Sequence, residues 1–239
     1  MTGEDDVFFG YGVIGLPFTS GHVLALRRFS SSSIGPDYTS VWHRDPAGRW
    51  TIYSTVPPEL SCARYFGGAV ERNVMKRIEI AWLGPSMLRI EVAGVLGWHI
   101  ALRSSMSTRL WNHVPESLRE RVFQSPRLLE LTGGLASKLL AAGRVDLGGV
   151  TPNAHRLVAN PGPLWLVADS RAQTGADDFG DIGPLTEQAS IGNLRIPQRG
   201  IFSVGTVRMQ PPQRRLPAGA IPRGSCRLID SPTQPEFRS

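Results

Sequence analysis

Strict alternation of apolar and polar residues between positions 76 and 102 is the feature that most constrains the fold. Three runs place apolar side chains at every second position: Ile78, Ile80, Trp82; Leu88, Ile90, Val92; and Leu96, Trp98, Ile100, Leu102. A two-residue period is typical of β-strands with one buried face. Leu83-Gly84-Pro85-Ser86 has the length of a hairpin turn, and Val92-Ala93-Gly94-Val95 forms a second bend. The segment 76–102 therefore predicts an antiparallel meander of three strands.

Further strand signals precede and follow this meander. Tyr38 to Arg44 and Arg49 to Ser54 flank Asp45-Pro46-Ala47-Gly48, a tight-turn signal between paired strands. The other predicted strands are His22–Phe29, Arg156–Asn160, Leu164–Gln173 and Gly200–Val207, with a turn at 160–163 and a long irregular loop at 175–199. Many short strands separated by turns favour a barrel or a sandwich. The predicted fold is mainly β: an antiparallel lipocalin-like barrel, or two β halves, with a helical insertion.

The helical insertion is predicted at residues 105–143. Leu110, Val114 and Leu118 are spaced by four, and Leu128, Leu131, Leu135 and Leu139 continue with helical spacing after Ser125-Pro126. We predict one β-rich domain over 1–207, with strands at 20–104, the insertion at 105–143 and strands again at 144–207. The remaining residues, 208–239, contain many prolines and arginines and are predicted to be a disordered tail.

The net charge of +6 is concentrated in this tail. Residues 207–239 hold six arginines and two acids, whereas residues 1–206 hold 20 basic and 18 acidic side chains. The folded part shows no basic stripe interleaved with aromatic residues, so a nucleic-acid partner is not expected of it. Binding of a nucleic acid or a protein through the arginine tail stays open as one alternative function, and it predicts salt-dependent binding.

Several classes of protein are disfavoured by composition and motifs. Hydrophobic residues make up 41% of the chain, which is enough for a core. The uncharged stretch near the middle, Val92–Leu102, has 11 residues, short of the roughly 20 that a membrane-spanning helix needs. Two cysteines, Cys62 and Cys226, build neither a disulfide framework nor a metal site.

The acidic N-terminus lacks the pattern of a secretory signal, so a cytoplasmic location is expected. Motifs for a P-loop, a Rossmann domain or an α/β-hydrolase are absent, and we predict no metal and no cofactor.

Aromatic and polar residues that cluster on strands are the candidate functional residues. Alternation places Tyr38, Trp42 and Arg44 on one face of their strand and His43 on the other. Aromatic rings with a polar group can line a ligand cavity, and histidine titrates near pH 6.5 and can act as a general acid or base. The predicted ligand-binding residues are Tyr38, Trp42, Trp50, Tyr53, Arg64, Tyr65 and Arg199, and the predicted catalytic residues are His43 and Asp169. For each of them the alternative is a structural role in the core or in a surface ion pair.

The strand pair formed by Ser40-Val41-Trp42-His43-Arg44 and Trp50–Ser54 resembles the lipocalin-like proteins related to hydroxyneurosporene synthase, a family of carotenoid hydratases and natural-product cyclases. Ile80-Ala81-Trp82-Leu83-Gly84-Pro85 and a second β half at 150–207 share in the resemblance. It implies two barrel-like halves around a hydrophobic cavity. We therefore expect the chain to bind a small hydrophobic molecule, such as a terpenoid, a polyketide or a lipid, in a β-barrel cavity. The alternative is an enzyme of the hydratase, isomerase or cyclase type that uses His43 or Asp169.

Overall fold

The computed structural model of the chain describes residues 4–119, 140, 142–175 and 177–212. Most of these residues lie in strands: β1 (Asp6–Pro17), β2 (Val23–Ser32), β3 (Tyr38–Arg44), β4 (Trp50–Ser54), β5 (Arg72–Met75), β6 (Ile78–Gly84), β7 (Met87–Val92), β8 (Leu96–Arg103), β9 (Gly148–Val150), β10 (Arg156–Thr174), β11 (Asp177–Asp178), β12 (Ser190–Ile191), β13 (Leu194–Arg195) and β14 (Ile201–Gln210). Helical residues form α1 (Ala63–Phe66), α2 (Met106–Asn112) and two 3₁₀ turns, Pro58–Leu60 and Gly67–Ala69. The prediction of a mainly β fold is confirmed.

Ten of the strands form one continuous sheet. Their order is β5-β4-β3-β2-β1-β14-β10-β8-β7-β6, and neighbours pair antiparallel except for β4 and β5, which are parallel. Short strands β9 and β11 pair with β10, while β12 and β13 form a separate hairpin. The first and last strands of the chain's described part, β1 and β14, are neighbours in the middle of the sheet.

The predicted meander and the predicted early strand pair are both confirmed. In the meander β6-β7-β8, Ile78 lies opposite Val92 and Ile90 lies opposite Trp98. Residues of β7 alternate strictly between exposed and buried, as the sequence period requires. Strands β3 and β4 pair around the turn at 45–48, where Gly48 takes a φ of 88°.

Strand β10 differs from the prediction. Residues 156–174 form one long strand, and the turn predicted at 160–163 is instead a bulge, with a register shift between Pro161 and Leu164. Proline lacks an N–H group, so it interrupts the ladder locally, but at a bulge the chain can continue in the same direction. The indole N–H of Trp111 donates to the carbonyl oxygen of Gly162 at 2.8 Å and so holds the bulge against α2.

Other differences concern elements that the sequence did not reveal. Strand β1 was not predicted, because its glycines and its burial on both faces hide a two-residue period. The segment 175–199, predicted to be irregular, contains β11 and the β12-β13 hairpin.

The helical insertion begins as predicted. Helix α2 starts at a Ser105 cap whose hydroxyl accepts the Thr108 N–H at 3.2 Å, and residues 116–119 are also helical. The later leucines of the insertion and residues 213–239 of the predicted tail lie outside the described residues. Residues 208–210, which were predicted to belong to the disordered tail, are instead the end of β14, paired with β1 and β10. The division into a domain and a tail otherwise stays a prediction. Within the described ranges, no helix has the length and apolar character needed to cross a bilayer.

The sheet curls around one of its faces. Tyr11 on β1 packs against Trp82 on the edge strand β6, with ring centroids 6.0 Å apart. The two residues meet although the strands β14, β10, β8 and β7 lie between β1 and β6 in the sheet. The side chains between them form an inner core whose largest buried members include Leu16, Leu26, Ile90, Trp98, Phe179 and Phe202. This face of the sheet is therefore filled by side chains.

The opposite face of β1 to β4 and β14 carries a second, outer core. Two segments that lie mostly outside the sheet cover it: residues 58–70, which contain α1, and residues 185–196, which contain the β12-β13 hairpin. Its buried members include Phe8, Tyr38, Trp42, Ile52, Tyr65 and Ile191. Because both faces of these strands are buried, Tyr38 and Trp42 belong to the outer core while Val41 between them belongs to the inner core.

Candidate functional site

A cavity of about 140 Å³ lies on the outer face of the sheet, not inside the curl where the sequence led us to expect it. Its floor consists of residues from β1, β2, β14 and β10, and its cover consists of 145–147 and 191–196. The lining is mostly apolar and includes Phe29, Trp42, Leu147, Leu157, Ile191 and Ile196. The inner face is closed by its own core, so we treat the outer cavity as the candidate binding site.

Glycines create the floor of this cavity. Gly10 on β1 lies directly opposite Gly205 on β14, and both line the cavity. A Cβ atom at Gly10 would collide with the carbonyl oxygen of Arg28, and one at Gly205 would collide with that of Asn160. The neighbouring strands therefore approach too closely for any side chain, and the floor between them stays bare.

Arg27 is the charged residue at the floor of the cavity, and backbone carbonyl groups hold its guanidinium. Its Nη1 donates to the oxygens of Val13 at 2.6 Å and Leu26 at 2.8 Å, and its Nη2 donates to the oxygen of Ile14 at 3.2 Å. A register shift between Val13 and Leu16 interrupts the β1-β2 ladder at this point. Arg27 thus satisfies carbonyl groups that the bulge leaves without a regular partner.

The charge of Arg27 has no acidic partner among the described residues. Burial lowers the pKa of its guanidinium, while the neighbouring Cys62 and Tyr38 raise it. Arginine starts from so high a pKa that it stays protonated at neutral pH. The indole ring of Trp42 lies 5.3 Å from the guanidinium carbon and provides a cation–π contact. The Arg27 side chain is partly buried, so the carbonyl dipoles and the Trp42 ring replace part of the water that its charge would otherwise bind.

Cys62 lines the same cavity and is held by Tyr38. The phenol oxygen of Tyr38 lies 3.0 Å from Sγ of Cys62 and accepts the Cys62 backbone N–H, also at 3.0 Å. Burial raises the pKa of the thiol, although Tyr38 and Arg27 oppose this effect. A buried thiol with a raised pKa is a poor nucleophile, so the geometry assigns Cys62 a packing role in the wall.

The predicted ligand-binding residues divide into three groups. Trp42 lines the cavity, and its indole N–H donates to the hydroxyl of Ser40 at 3.2 Å. Tyr38, Trp50 and Tyr65 are buried in the outer core around it. Of these, Trp50 donates to the carbonyl oxygen of Ser190 at 2.9 Å and Tyr65 donates to Asp6 at 2.6 Å.

The third group lies away from the cavity. Tyr53 is on the opposite face of its strand, in the inner core. Arg64 is exposed, with its guanidinium carbon 5.9 Å from the centroid of the Tyr65 ring. Arg199 donates to the carbonyl oxygen of Leu140 at 3.3 Å.

Neither predicted catalytic residue lines the cavity. His43 faces His22, with Nε2 of His43 2.9 Å from Nδ1 of His22, and both rings stack on Phe179. Burial, followed by the charge of His22, lowers the pKa of His43 to about 4. Asp169 is exposed at a second bulge of β10. The structure therefore gives these two residues no shared site.

Arg27 and the glycine floor are not among the residues predicted from the sequence. The strand period could have indicated Arg27, because it lies two residues from both Ala25 and Phe29 on β2 and therefore on the same face of the strand. Ala25 and Phe29 belong to the outer core. The covering segments are distant in sequence from the strands they cover, so no local pattern could identify them. The described residues contain no group of three or more histidine, cysteine or acidic side chains that could hold a metal.

Comparisons with known proteins identify no family for this chain. A scan against protein-family models and a search of curated proteins find no match. Among solved structures, the chain is similar to acetoacetate decarboxylase from Legionella pneumophila, with a TM-score of 0.36 and 10% identity over 88% of this chain and 86% of that one. It is also similar to an acetoacetate decarboxylase-like enzyme from Sphingomonas wittichii, with a TM-score of 0.33 and 11% identity over 86% of this chain and 90% of that one. These scores are too low to carry a conclusion about function, and they give the resemblance to hydroxyneurosporene synthase no support.

Proposed function

We propose that this protein binds a small, mainly apolar molecule in the cavity on the outer face of its sheet. The observation that supports this proposal is the lining itself: aromatic and aliphatic side chains surround a space that no side chain fills, with a charged group at its floor. Few polar groups in a mostly apolar pocket are typical of sites that bind small molecules.

The volume of the cavity limits the size of the buried ligand. Cavities of about 150 Å³ lined by aliphatic and aromatic side chains bind benzene. A space of about 140 Å³ thus suits one six-membered ring or a short alkyl chain. A complete terpenoid or polyketide would have to leave part of its body outside, between the covering segments 145–147 and 191–196.

A thermal-shift series of neutral molecules of increasing size tests the proposal. Benzyl alcohol, a monoterpenoid alcohol, an aromatic polyketide and a long-chain alcohol are suitable probes. A ligand at a hundred times its Kd stabilises the native state by about 2.7 kcal/mol, so the melting temperature rises measurably. We expect the smallest apolar probes to stabilise the protein. Failure of every apolar probe to raise the melting temperature would refute the proposal.

A further inference from the structure

The floor of the cavity carries a positive charge that lacks a partner, and this feature restricts the chemistry of the ligand. Within the described ranges, the acidic residue that lines the cavity is Asp146. Its carboxylate already pairs with Arg144 at 3.1 Å and accepts the backbone N–H of Arg195 at 3.0 Å. Arg27 forms no ion pair with any described residue, so its charge is balanced only by carbonyl dipoles and the ring of Trp42.

The hydrogen bonds of Arg27 leave one edge of its guanidinium unused. Nη1 uses both of its N–H groups, on Val13 and Leu26, and Nη2 uses one, on Ile14. The described residues provide no acceptor for the Nε–H and the second N–H of Nη2. The Nε–H and the Nη2 N–H beside it are parallel and lie in the guanidinium plane along one edge, which is the geometry that binds a carboxylate through two hydrogen bonds.

We infer that the ligand of the cavity carries a carboxylate, which pairs with the free edge of Arg27 while its apolar body occupies the space above Gly10 and Gly205. The inference rests on the proposed function, because it names the chemical class of the molecule that the cavity binds. An anion there would pair a partly buried charge that has no ion-pair partner among the described residues. A cationic ligand would instead meet a like charge in a mostly apolar site.

Benzoate, benzamide and benzamidine are planar and nearly identical in shape. Differences between their affinities for the protein therefore report the effect of the ligand's charge. The experiment measures their Kd values for the full chain by isothermal titration calorimetry at neutral pH, where benzoate is an anion and benzamidine a cation. A charge-assisted pair predicts that benzoate binds at least about tenfold more tightly than benzamide. Benzamidine should bind most weakly.

Variants of Arg27 test whether this residue causes the preference for benzoate. In Arg27→Met the preference for benzoate over benzamide should disappear, and in Arg27→Lys it should be reduced, because lysine keeps the charge but lacks the planar pair of donors. Arg77→Met is the matched control, since Arg77 lies just before β6, does not line the cavity, and has a side chain that is 78% exposed. It should leave the preference unchanged. If Arg27→Met does not fold, Arg27→Lys and the selectivity of the unmodified protein still decide the question.

The outcomes separate this inference from the proposed function. If benzamide or benzamidine binds as tightly as benzoate, the inference is wrong, while binding of an apolar molecule stands. If Arg27→Met keeps the full preference, the carboxylate pairs elsewhere and the inference is again wrong. If none of the three binds and no neutral probe stabilises the protein, the proposed function itself fails.

Discussion

The pair His22 and His43 shows how burial changes the chemistry of a side chain that sequence reasoning selects. His43 was a candidate acid or base because free histidine titrates near 6.5. In the structure it is stacked on Phe179 and hydrogen-bonded to His22, and burial lowers the pKa of both histidines. His43, at about 4, is neutral at physiological pH and acts as a structural group.

This pair makes the protein sensitive to acid. A base whose pKa is lowered by folding binds more protons in the unfolded state, so the free energy of unfolding falls as the pH drops from about 6.5 towards the folded value of about 4. For His43 the loss is at most about 3 kcal/mol, at 1.36 kcal/mol per pKa unit. Urea denaturation between pH 4 and pH 7 measures it.

Two variants test whether His43 causes this pH dependence of the free energy of unfolding. His43→Gln should flatten the fall in stability between pH 6.5 and pH 4, because its side chain does not titrate. The control His99→Gln, at an exposed position of β8, should keep the slope of the unmodified protein. Equal slopes for all three proteins would contradict the account of His43.

At the scale of elements, the bulge of β10 depends on the end of helix α2. The side chain of Asn112 donates from Nδ2 to the carbonyl oxygen of Leu164 at 3.0 Å and accepts the Leu164 N–H at Oδ1, at 2.7 Å. Together with the bond from Trp111 to Gly162, it satisfies backbone groups that the bulge removes from the ladder.

Asn112→Ala should therefore lower the free energy of unfolding by about 1–3 kcal/mol, because it leaves two backbone groups of a buried residue without partners. Leu110→Ala on the same helix is the control, since Leu110 is 70% exposed and its loss should cost less than about 0.5 kcal/mol. Chemical denaturation measures both. A cost for Asn112→Ala as small as that of the control would show that the bulge holds without α2.

The elements that sequence could predict are those with one exposed face. Residues of β7 alternate in exposure, so their strand was readable, whereas every residue of β4 is buried and its strand was identified only through the turn that joins it to β3. Strand β1 offered neither signal. The prolines of β10 suggested a turn, because sequence alone cannot show that a helix elsewhere in the chain supplies the missing hydrogen bonds.

The same limit applies to the site. Trp42 was predicted because it lies in a local cluster of aromatic residues, and the structure places it at the cavity. Arg27 was not, because its importance comes from a bulge in β1 and from segments more than a hundred residues away that close the cavity over it. Sequence patterns thus identified a wall of the cavity but not its floor or its cover.

For the whole molecule, the contact between Trp82 and the middle of the sheet bridges the curl, and we expect it to stabilise that shape. Trp82 lies on the edge strand β6, and its ring centroid is 6.0 Å from those of Tyr11 and Phe202. Trp82→Ala should lower the free energy of unfolding by about 1–3 kcal/mol through the loss of these two aromatic contacts, since Trp82 itself is 46% exposed.

Leu83→Ala is the matched control, because Leu83 is the next residue on the edge strand and is 55% exposed. Its cost should be clearly smaller in the same denaturation experiment. If both substitutions cost the same, the contact of Trp82 does not hold the curl.

The proposed function requires that the outer cavity is the binding site. The most direct test is the Kd of benzyl alcohol, measured by ligand-observed NMR titration, for the unmodified protein, Ala159→Leu and Ala81→Leu. Ala159 lines the cavity on β10, whereas Ala81 is exposed on β6. We predict at least about tenfold weaker binding for Ala159→Leu, because a larger side chain occupies the space of the ligand, and no change for Ala81→Leu. Equal affinity of all three proteins, or no binding to any of them, would contradict the account.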